Sequence, residues 1–223
     1  NRAMIRQDPR VVRPSTREPT QAEHLEEVAK VLLSGKLVPV LGGDVDRLAE
    51  ALAQRFELPP GERAELTRVA QYVALTRGEG PLYEELREML AETRVTDVHR
   101  FFARLPAFLR QQELPHQLLV TTSYDLALEQ AFLDEGEQFD VVSYLNSGRD
   151  RGRFCHLRPD GSTHIIDVPN TYAVELSLEA RTVILKLHGG VAADALLQES
   201  FVVTEDDYID YLAQTDLTGA VPV

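Results

Sequence analysis

Cysteine is almost absent from the sequence, and this removes two classes of protein. The single cysteine, Cys155, can form no internal disulfide and cannot provide the paired Cys-x-x-Cys ligands of a structural zinc site. A secreted disulfide scaffold and a zinc ribbon are therefore excluded, and we predict no zinc. Cys155 is interpreted as a small, buried or half-buried residue of a hairpin.

A long apolar run is also missing. No stretch approaches the roughly 18 consecutive apolar residues of a membrane helix, and no apolar segment follows a basic start. We therefore predict neither a membrane span nor a signal peptide, and a cytoplasmic location.

Basic residues are too few to balance the acidic ones. The chain has 23 Lys and Arg against 36 Asp and Glu, which gives a net charge of −13. A surface with this charge repels nucleic-acid phosphates and anionic lipids, so neither nucleic acid nor a membrane is predicted as a partner. A locally basic pocket for a dinucleotide is still compatible with this balance.

The chain does have the length and apolar content of a globular domain, with 223 residues of which 43% are hydrophobic. One domain is predicted over 20–223. It is preceded by an extended arm, 1–19, that is polar and punctuated by proline. The domain begins with a helix, because Thr20 and Glu23 form a capping-box signature. Apolar residues then recur on one helical face as far as Gly35, namely Leu25, Val28, Ala29, Leu32 and Leu33.

A strand, a glycine turn and a helix come next. The apolar run "LVPVLGG" ends in Gly42 and Gly43, and "VDRLAEALAQRF" has helical periodicity. This order is the opening of a nucleotide-binding α/β unit. Residues 61–112 contain three segments with helical spacing and no convincing strand, so we predict an all-helical insertion, broken at 78–81 and near Pro106.

Further strands are predicted at "HQLLVTT", "FDVVSYL" and "TVILKLHG", with a helix over 125–134 between the first two. Residues 150–168 hold two short runs around Pro-Asp-Gly, which is typical of a β-hairpin. The predicted fold class is α/β: a Rossmann-like parallel sheet flanked by helices, with an all-helical insertion and a small β-hairpin excursion.

Polar residues and glycines follow three of these strands. Gly42-Gly43 follow the first, residues 121–125 the second and His188-Gly189 the last. Open α/β sheets bind ligands in the crevice at the carboxyl ends of their parallel strands, so we predict a binding site there. Each feature alone also has a structural interpretation, since paired glycines are common in turns and Thr, Ser and Asp cap helices.

These segments together resemble one family. "LVPVLGG" is similar to the "GAG" nucleotide loop of sirtuin-like proteins, "TTSYD" to their "TTNYD", "ILKLHGG" to their "KLHG", and "FVVTEDDYIDYL" to a segment that often follows. The order and spacing agree over roughly residues 25–223. The resemblance points to bacterial sirtuin-like domains at the front of larger proteins, many of them antiviral effectors that cleave NAD.

The resemblance implies roles for particular residues. His188 would be the base, since an imidazole titrates near neutral pH. Asp125 would hold the nicotinamide end, and Ser123 stands in the place of the family's asparagine. Backbone amides at the glycines would approach the pyrophosphate. The residues implied to bind NAD are Gly42, Gly43, Thr121, Thr122 and Gly189.

The sequence departs from the family pattern in three places. The Ser123 hydroxyl cannot supply both the amide donor and the carbonyl acceptor of an asparagine, which predicts slow or absent turnover. Asp44 stands where a glycine is expected, and its charge would repel a pyrophosphate unless the side chain lies further along. The chain stops at "LTGAVPV", where family members add another helix and strand-end segment. We therefore expect the C-terminal part of the family domain, and with it one wall of the pocket, to be missing.

Several functions fit this pattern. The leading hypothesis is hydrolysis of NAD to nicotinamide and ADP-ribose by an effector domain of a larger bacterial protein in antiviral defence. NAD would be the substrate or ligand, and further copies of the chain in a homo-oligomer and additional domains would be the partners. The alternatives are a catalytically degenerate sensor of NAD or a related nucleotide, and a module for assembly only. Protein deacylation is disfavoured, because the family's deacylases carry a zinc module with four thiolates.

Two other features suggest binding but have simpler interpretations. His156 and His164 are predicted to face each other across the hairpin, yet no cysteines or paired carboxylates accompany them, so no metal site is predicted. The acidic stretch "TEDDY" is interpreted as a helix cap that begins at Thr204.

Overall fold

A six-stranded sheet organises the molecule. The computed structural model describes residues 20–59, 64–92, 94–167, 172, 175–192 and 199–214, and the predicted arm over 1–19 lies outside them. The helices are α1 (Gln21–Leu33), α2 (Val45–Arg55), α3 (Leu66–Arg77), α4 (Glu79–Ala91), α5 (Asp97–Gln111), α6 (Ala127–Asp134) and α7 (Glu205–Gln214). The strands are β1 (Val40–Leu41), β2 (Leu118–Thr121), β3 (Phe139–Tyr144), β4 (Phe154–Leu157), β5 (Thr163–Ile166), β6 (Thr182–Lys186), β7 (Gly189–Gly190) and β8 (Ser200–Phe201).

Four parallel strands form the centre of this sheet. The spatial order is β1-β2-β6-β3-β4-β5, in which β1, β2, β6 and β3 are parallel and β4 and β5 antiparallel. β6 therefore lies between β2 and β3 although it follows both in the chain. The arrangement confirms the predicted α/β fold with a Rossmann-like parallel sheet.

The predicted hairpin is confirmed as β4 and β5, and it extends the main sheet. β4 pairs with β3 over four residues, so the hairpin adds two antiparallel strands at one edge. Gly161 closes the turn with a φ of 81°, a conformation that glycine adopts at no steric cost. His156 and His164 are paired across the hairpin, as predicted. Cys155 is half-buried on β4, which confirms its interpretation as a hairpin residue.

Alternate residues of the central strands supply two hydrophobic layers, as the period of a strand requires. On one face, Leu119 and Ile184 pack with α5 and α6. On the other face, Val183 and Leu185 pack with the hairpin and with Tyr211 of α7. The sheet is covered on both sides, which explains why its central strands are nearly continuous apolar runs.

The described elements of the predicted helical insertion are all helices. α3 and α4 share a core with α2, whereas α5 packs against α6 and the sheet. The predicted break between α3 and α4 is confirmed at Gly78, whose φ is 93°. The second predicted break, near Pro106, is wrong, because α5 continues from Asp97 to Gln111 through it.

Packing explains why α5 tolerates Pro106. The proline is buried within the helix, and the adjacent Leu105 and Leu109 pack against Leu32 of α1. Burying these side chains offsets the one backbone hydrogen bond that a proline removes.

The predicted start of α1 is confirmed. The Thr20 hydroxyl accepts a hydrogen bond from the Glu23 amide at 3.3 Å, and the Glu23 carboxylate accepts one from the Thr20 amide at 2.7 Å. Among the described residues, the C-terminal end of its apolar face is the part that packs, because α1 meets α5 there. Leu32 is buried, while Leu25 stays 58% exposed. None of the described helices is long and apolar enough to cross a bilayer.

Candidate functional site

The three predicted groups of site residues lie at the carboxyl-terminal edge of the parallel strands. Leu41 of β1 is in register with Thr121 of β2, and Thr121 is in register with Lys186 of β6. The segments that leave these strands, 42–44, 122–126 and 187–188, therefore start side by side. This edge is where open α/β sheets bind ligands.

A cleft of about 250 Å³ opens at this edge. It lies between the glycine turn, the loop after β2, the first turns of α2 and the C-terminal end of α4. Gly43, Ser123 and Asp125 line it, and Met89 and Leu90 supply an apolar wall. A larger cavity of about 650 Å³ lies among α2, α3 and α4, lined mainly by glutamate and arginine side chains. No strand-end residue reaches that cavity, so the smaller cleft is the candidate site.

Ser123 and Asp125 form a hydrogen-bonded pair beside the cleft. The Ser123 hydroxyl donates to Oδ2 of Asp125 at 2.9 Å, and Oδ1 of Asp125 accepts from the Ala127 amide at 2.9 Å. The second bond places the aspartate at the start of α6, which explains why that helix begins two residues later than predicted. The Asp125 carboxylate therefore closes the turn that precedes α6 and also lines the cleft.

Gly43 makes the close approach between the two loops possible. A Cβ at this position would lie 2.7 Å from Oγ of Ser123 and 3.3 Å from its Cβ. At Gly42 the nearest atom to such a Cβ is Oγ1 of Thr122, at 3.9 Å, an ordinary contact. Gly43 is thus the glycine that the local packing demands.

Asp44 takes a structural role at the end of the glycine turn. It is the N-cap of α2, because its carboxylate accepts from the Arg47 amide at 3.3 Å, and it also pairs with the Arg47 guanidinium at 3.8 Å. The N-terminal end of α2 lines the cleft beside these two side chains, and the positive end of the helix dipole lies there. The negative charge of Asp44, which stands in the place of a family glycine, is therefore partly balanced by the Arg47 guanidinium and by the dipole of α2.

The two threonines of "TTSYD" support the loop. Thr121 is buried, and its hydroxyl accepts from the Ser123 amide at 3.0 Å. Thr122 is half-buried, and its hydroxyl donates to the Leu41 carbonyl at 3.5 Å. Both side chains bind main chain of this edge, so they shape the turn that carries Ser123.

His188 is held by tyrosines next to the cleft. Its Nδ1 lies 3.2 Å from the Tyr208 hydroxyl, and its ring lies against those of Tyr124, Tyr208 and Tyr211, with centroids 6.4, 5.1 and 5.7 Å away. Burial lowers the pKa of His188, so the imidazole is neutral at pH 7. His188 does not line the cleft itself. Tyr124 does line the cleft and also contacts the His188 ring, so this tyrosine lies between the cleft and the histidine.

Gly189 is packed within the protein. Its φ is 69°, and a Cβ there would overlap the Ser200 carbonyl of β8. The neighbouring Gly190 approaches the Tyr124 carbonyl in the same way. Because these two positions have no side chain, β7 can pack closely against β8 and against the loop after β2.

Other residues that hold this site together were not predicted from the sequence. Tyr208 and Tyr211 come from α7, and the Tyr124 hydroxyl donates to the Val202 carbonyl at 2.7 Å. Lys186 is buried and contacts both Glu129 and the loop after β2. For Lys186, the signal that could have revealed it is a lysine at the end of an otherwise apolar strand, because an ammonium is rarely buried without a partner.

The described residues contain no group of three or more His, Cys, Asp or Glu side chains able to hold a metal ion. The two hairpin histidines have other partners. Nε2 of His156 lies 3.0 Å from Asp140, and its Nδ1 lies 2.8 Å from the Tyr172 hydroxyl. The ring of His164 stacks on Tyr172. The predicted cap at Thr204 is confirmed, since its hydroxyl accepts from the Asp207 amide at 3.0 Å.

The sheet topology defines an α/β protein with a Rossmann-like fold and a cleft at the carboxyl ends of its parallel strands. Residues 117–222 match the family model described as the SIR2-like domain. This match lies within the 25–223 range of the resemblance stated from the sequence and supports a sirtuin-like domain. No curated protein matches the chain. Because SIR2-like proteins generally bind NAD, the match supports a function related to NAD.

Proposed function

We propose that the strand-end cleft binds NAD and that the protein hydrolyses the bond between nicotinamide and ribose. The observation that carries this proposal is the hydrogen-bonded pair of Ser123 and Asp125, which lines the cleft beside Gly43 and the N-terminal end of α2. The pair offers oriented oxygens, and the glycine turn offers backbone amides and a positive helix end for a pyrophosphate.

The proposed binding mode follows from these groups. The pyrophosphate lies over Gly42, Gly43 and the first amides of α2, and the Arg47 guanidinium supplies a nearby positive charge. Asp125 orients the carboxamide of the nicotinamide. The apolar wall formed by Met89 and Leu90 reduces the access of water to the ring.

The proposed reaction breaks the bond between C1′ of the ribose and N1 of the nicotinamide ring. The bonding electrons leave with N1, so nicotinamide departs neutral and an oxocarbenium-like charge develops on the ribose. A water oxygen then bonds to C1′ and releases one proton, which yields ADP-ribose. His188 is the proposed base, because burial keeps its imidazole neutral at pH 7 and able to accept that proton.

A second candidate function is the binding of NAD without turnover. His188 lies behind Tyr124 and not on the wall of the cleft, and Ser123 replaces the asparagine of the resembled motif. A site in this form would sense NAD. The resemblance further supports a proposal that the domain is an effector of a larger bacterial protein in antiviral defence and that it acts as a homo-oligomer.

Incubation with NAD, followed by NMR detection of free nicotinamide and by calorimetry, tests these candidates. The chain is compared with its His188→Ala and Ser123→Asn variants. Turnover that is lost in His188→Ala supports hydrolysis, and turnover only in Ser123→Asn supports a site that is switched off. Binding without turnover in all three supports the sensor. If none of them binds NAD, both functions are wrong.

A further inference from the structure

We infer that Lys186 is a positioning residue for this site, one that fixes the main chain at Asp125 and thereby the Ser123–Asp125 pair. The inference rests on the proposed function, because it assigns a role within the same cleft. Lys186 ends the central strand β6, two residues before His188, and its side chain is 3% exposed.

Two contacts define what the Lys186 ammonium does. Nζ donates to the main-chain carbonyl of Asp125 at 2.7 Å and to Oε1 of Glu129 at 2.8 Å. Glu129 lies on α6 and is itself buried, so the ammonium and the carboxylate compensate each other within the protein. Lys186 therefore joins the end of β6 to both the loop after β2 and the helix that follows it.

The bond to the carbonyl completes a set of three constraints on Asp125. Its Oδ1 accepts from Ala127, its Oδ2 accepts from Ser123, and its carbonyl accepts from Lys186. The first two bonds lie within the loop and would move with it. Lys186 alone of these three donors belongs to a central strand, so it ties the loop to the rigid part of the sheet.

A purely structural role for the buried ion pair makes a different prediction. If Lys186 and Glu129 serve stability only, any change that breaks the pair should lower activity in proportion to the loss of folded protein. If Lys186 positions Asp125, activity should depend on the donor to the Asp125 carbonyl and not on the charge of residue 129. The two roles can therefore be separated by substitution.

The experiment compares Lys186→Met/Glu129→Met with Glu129→Gln in the full chain. The double variant removes both charges and the donor to Asp125, and the single variant keeps that donor while neutralising its partner. Measurements are the melting temperature, kcat and KM for NAD cleavage, the Kd for NAD, and hydrogen exchange at the Ala127 amide. Lys186→Met/Glu129→Gln, which also lacks a donor at residue 186, serves as a second double variant, should the first fail to fold.

In the double variant we expect kcat to fall about 10- to 100-fold while KM changes less than about threefold, because misplacement of a reacting group by about 1 Å has costs of this order. The Ala127 amide should exchange faster. Glu129→Gln should melt at a lower temperature yet keep kcat and the exchange rate of Ala127. If the double variants keep the wild-type kcat and exchange rate, or if Glu129→Gln loses as much kcat as they do, the inference is wrong.

The same measurements distinguish a failure of the proposed function from a failure of the role assigned to Lys186. If the wild-type chain binds NAD without cleaving it, hydrolysis is wrong. The role of Lys186 is then judged by the exchange rate of the Ala127 amide, which should rise in the double variant and stay unchanged in Glu129→Gln. If the wild-type chain does not bind NAD, the proposed function is wrong, and the Ala127 exchange rates still decide whether Lys186 holds the loop.

Discussion

Gly43 shows how a single missing side chain sets the distance between two loops. In Gly43→Ala the new methyl would meet the Ser123 hydroxyl at 2.7 Å, so that hydroxyl would have to leave Asp125. We expect the variant to lose about 1–3 kcal/mol of unfolding free energy through overpacking, as measured by urea denaturation.

Gly42→Ala is the matched control, because its methyl would meet nothing closer than 3.9 Å. We expect its unfolding free energy to stay within about 0.5 kcal/mol of the wild type. Equal losses in the two variants would show that the turn, and not the contact with Ser123, is what requires glycine.

The tyrosines around His188 differ in one respect that can be tested. The Tyr208 hydroxyl bonds to the imidazole, whereas the Tyr211 hydroxyl has no hydrogen-bond partner among the described residues. We expect Tyr208→Phe to lower the rate of nicotinamide release about tenfold, because the ring that accepts the proton is no longer fixed. Tyr211→Phe should keep the wild-type rate. A rate that is unchanged in both variants would contradict a role for the Tyr208 contact.

At the scale of elements, α7 depends on a buried capping box. The Thr204 hydroxyl accepts from the Asp207 amide, and the Asp207 carboxylate accepts from the Thr204 amide at 2.9 Å and from the Asn146 side chain at 2.6 Å. The corresponding box of α1, made by Thr20, is exposed. The same motif thus occurs in two environments within one chain.

We expect Thr204→Ala to cost about 1–2 kcal/mol of unfolding free energy and Thr20→Ala about 0.5 kcal/mol, since water replaces the lost bond only at the exposed cap. Denaturant titration of both variants measures the difference. A larger loss for Thr20→Ala would mean that burial does not decide the strength of these caps.

Elements with a strong local signal could be predicted from the sequence. The Thr20 box, the Gly42-Gly43 turn and the Pro-Asp-Gly hairpin each consist of adjacent residues whose chemistry fixes the backbone. The gathering of strand ends at one edge was also predictable, because parallel strands place their carboxyl ends together. The break predicted at Pro106 failed, because the packing of α5 on α1 is invisible in a local pattern.

The finer structure of the site could not be predicted for the same reason. Tyr208 reaches His188 from 20 residues further along the chain, and Lys186 reaches Glu129 across 57 residues. Neither pair has a spacing that marks it. The placement of His188 behind Tyr124 also depends on how β7 and β8 press on the loop after β2.

At the scale of the whole molecule, buried histidines link stability to pH. Burial lowers the pKa of His116, His156 and His188 below the ordinary value of 6.5. The unfolded chain therefore binds more protons than the folded chain as the pH falls through 6.5. Stability should be fully present above that pH and should decrease as the pH falls towards the lowered pKa values.

Urea denaturation at about pH 7.5 and about pH 5.5 tests this linkage, and the midpoint should be lower at the acidic pH. His116→Gln supplies the control. Nδ1 of His116 has no hydrogen-bond partner among the described residues, so its removal should make the midpoint less sensitive to pH. A midpoint that does not change between the two conditions would contradict the proposed linkage.

The place of β6 has a consequence for the order in which the protein is made. Among the described strands of this sheet, β6 alone joins β1 and β2 on one side to β3, β4 and β5 on the other. Its residues, 182–186, come after all of these strands in the chain. A chain leaving the ribosome therefore holds two separate pieces of sheet until this segment emerges. Because so many pairings in the sheet join residues that are far apart in the sequence, folding should be slow and should follow the emergence of β6.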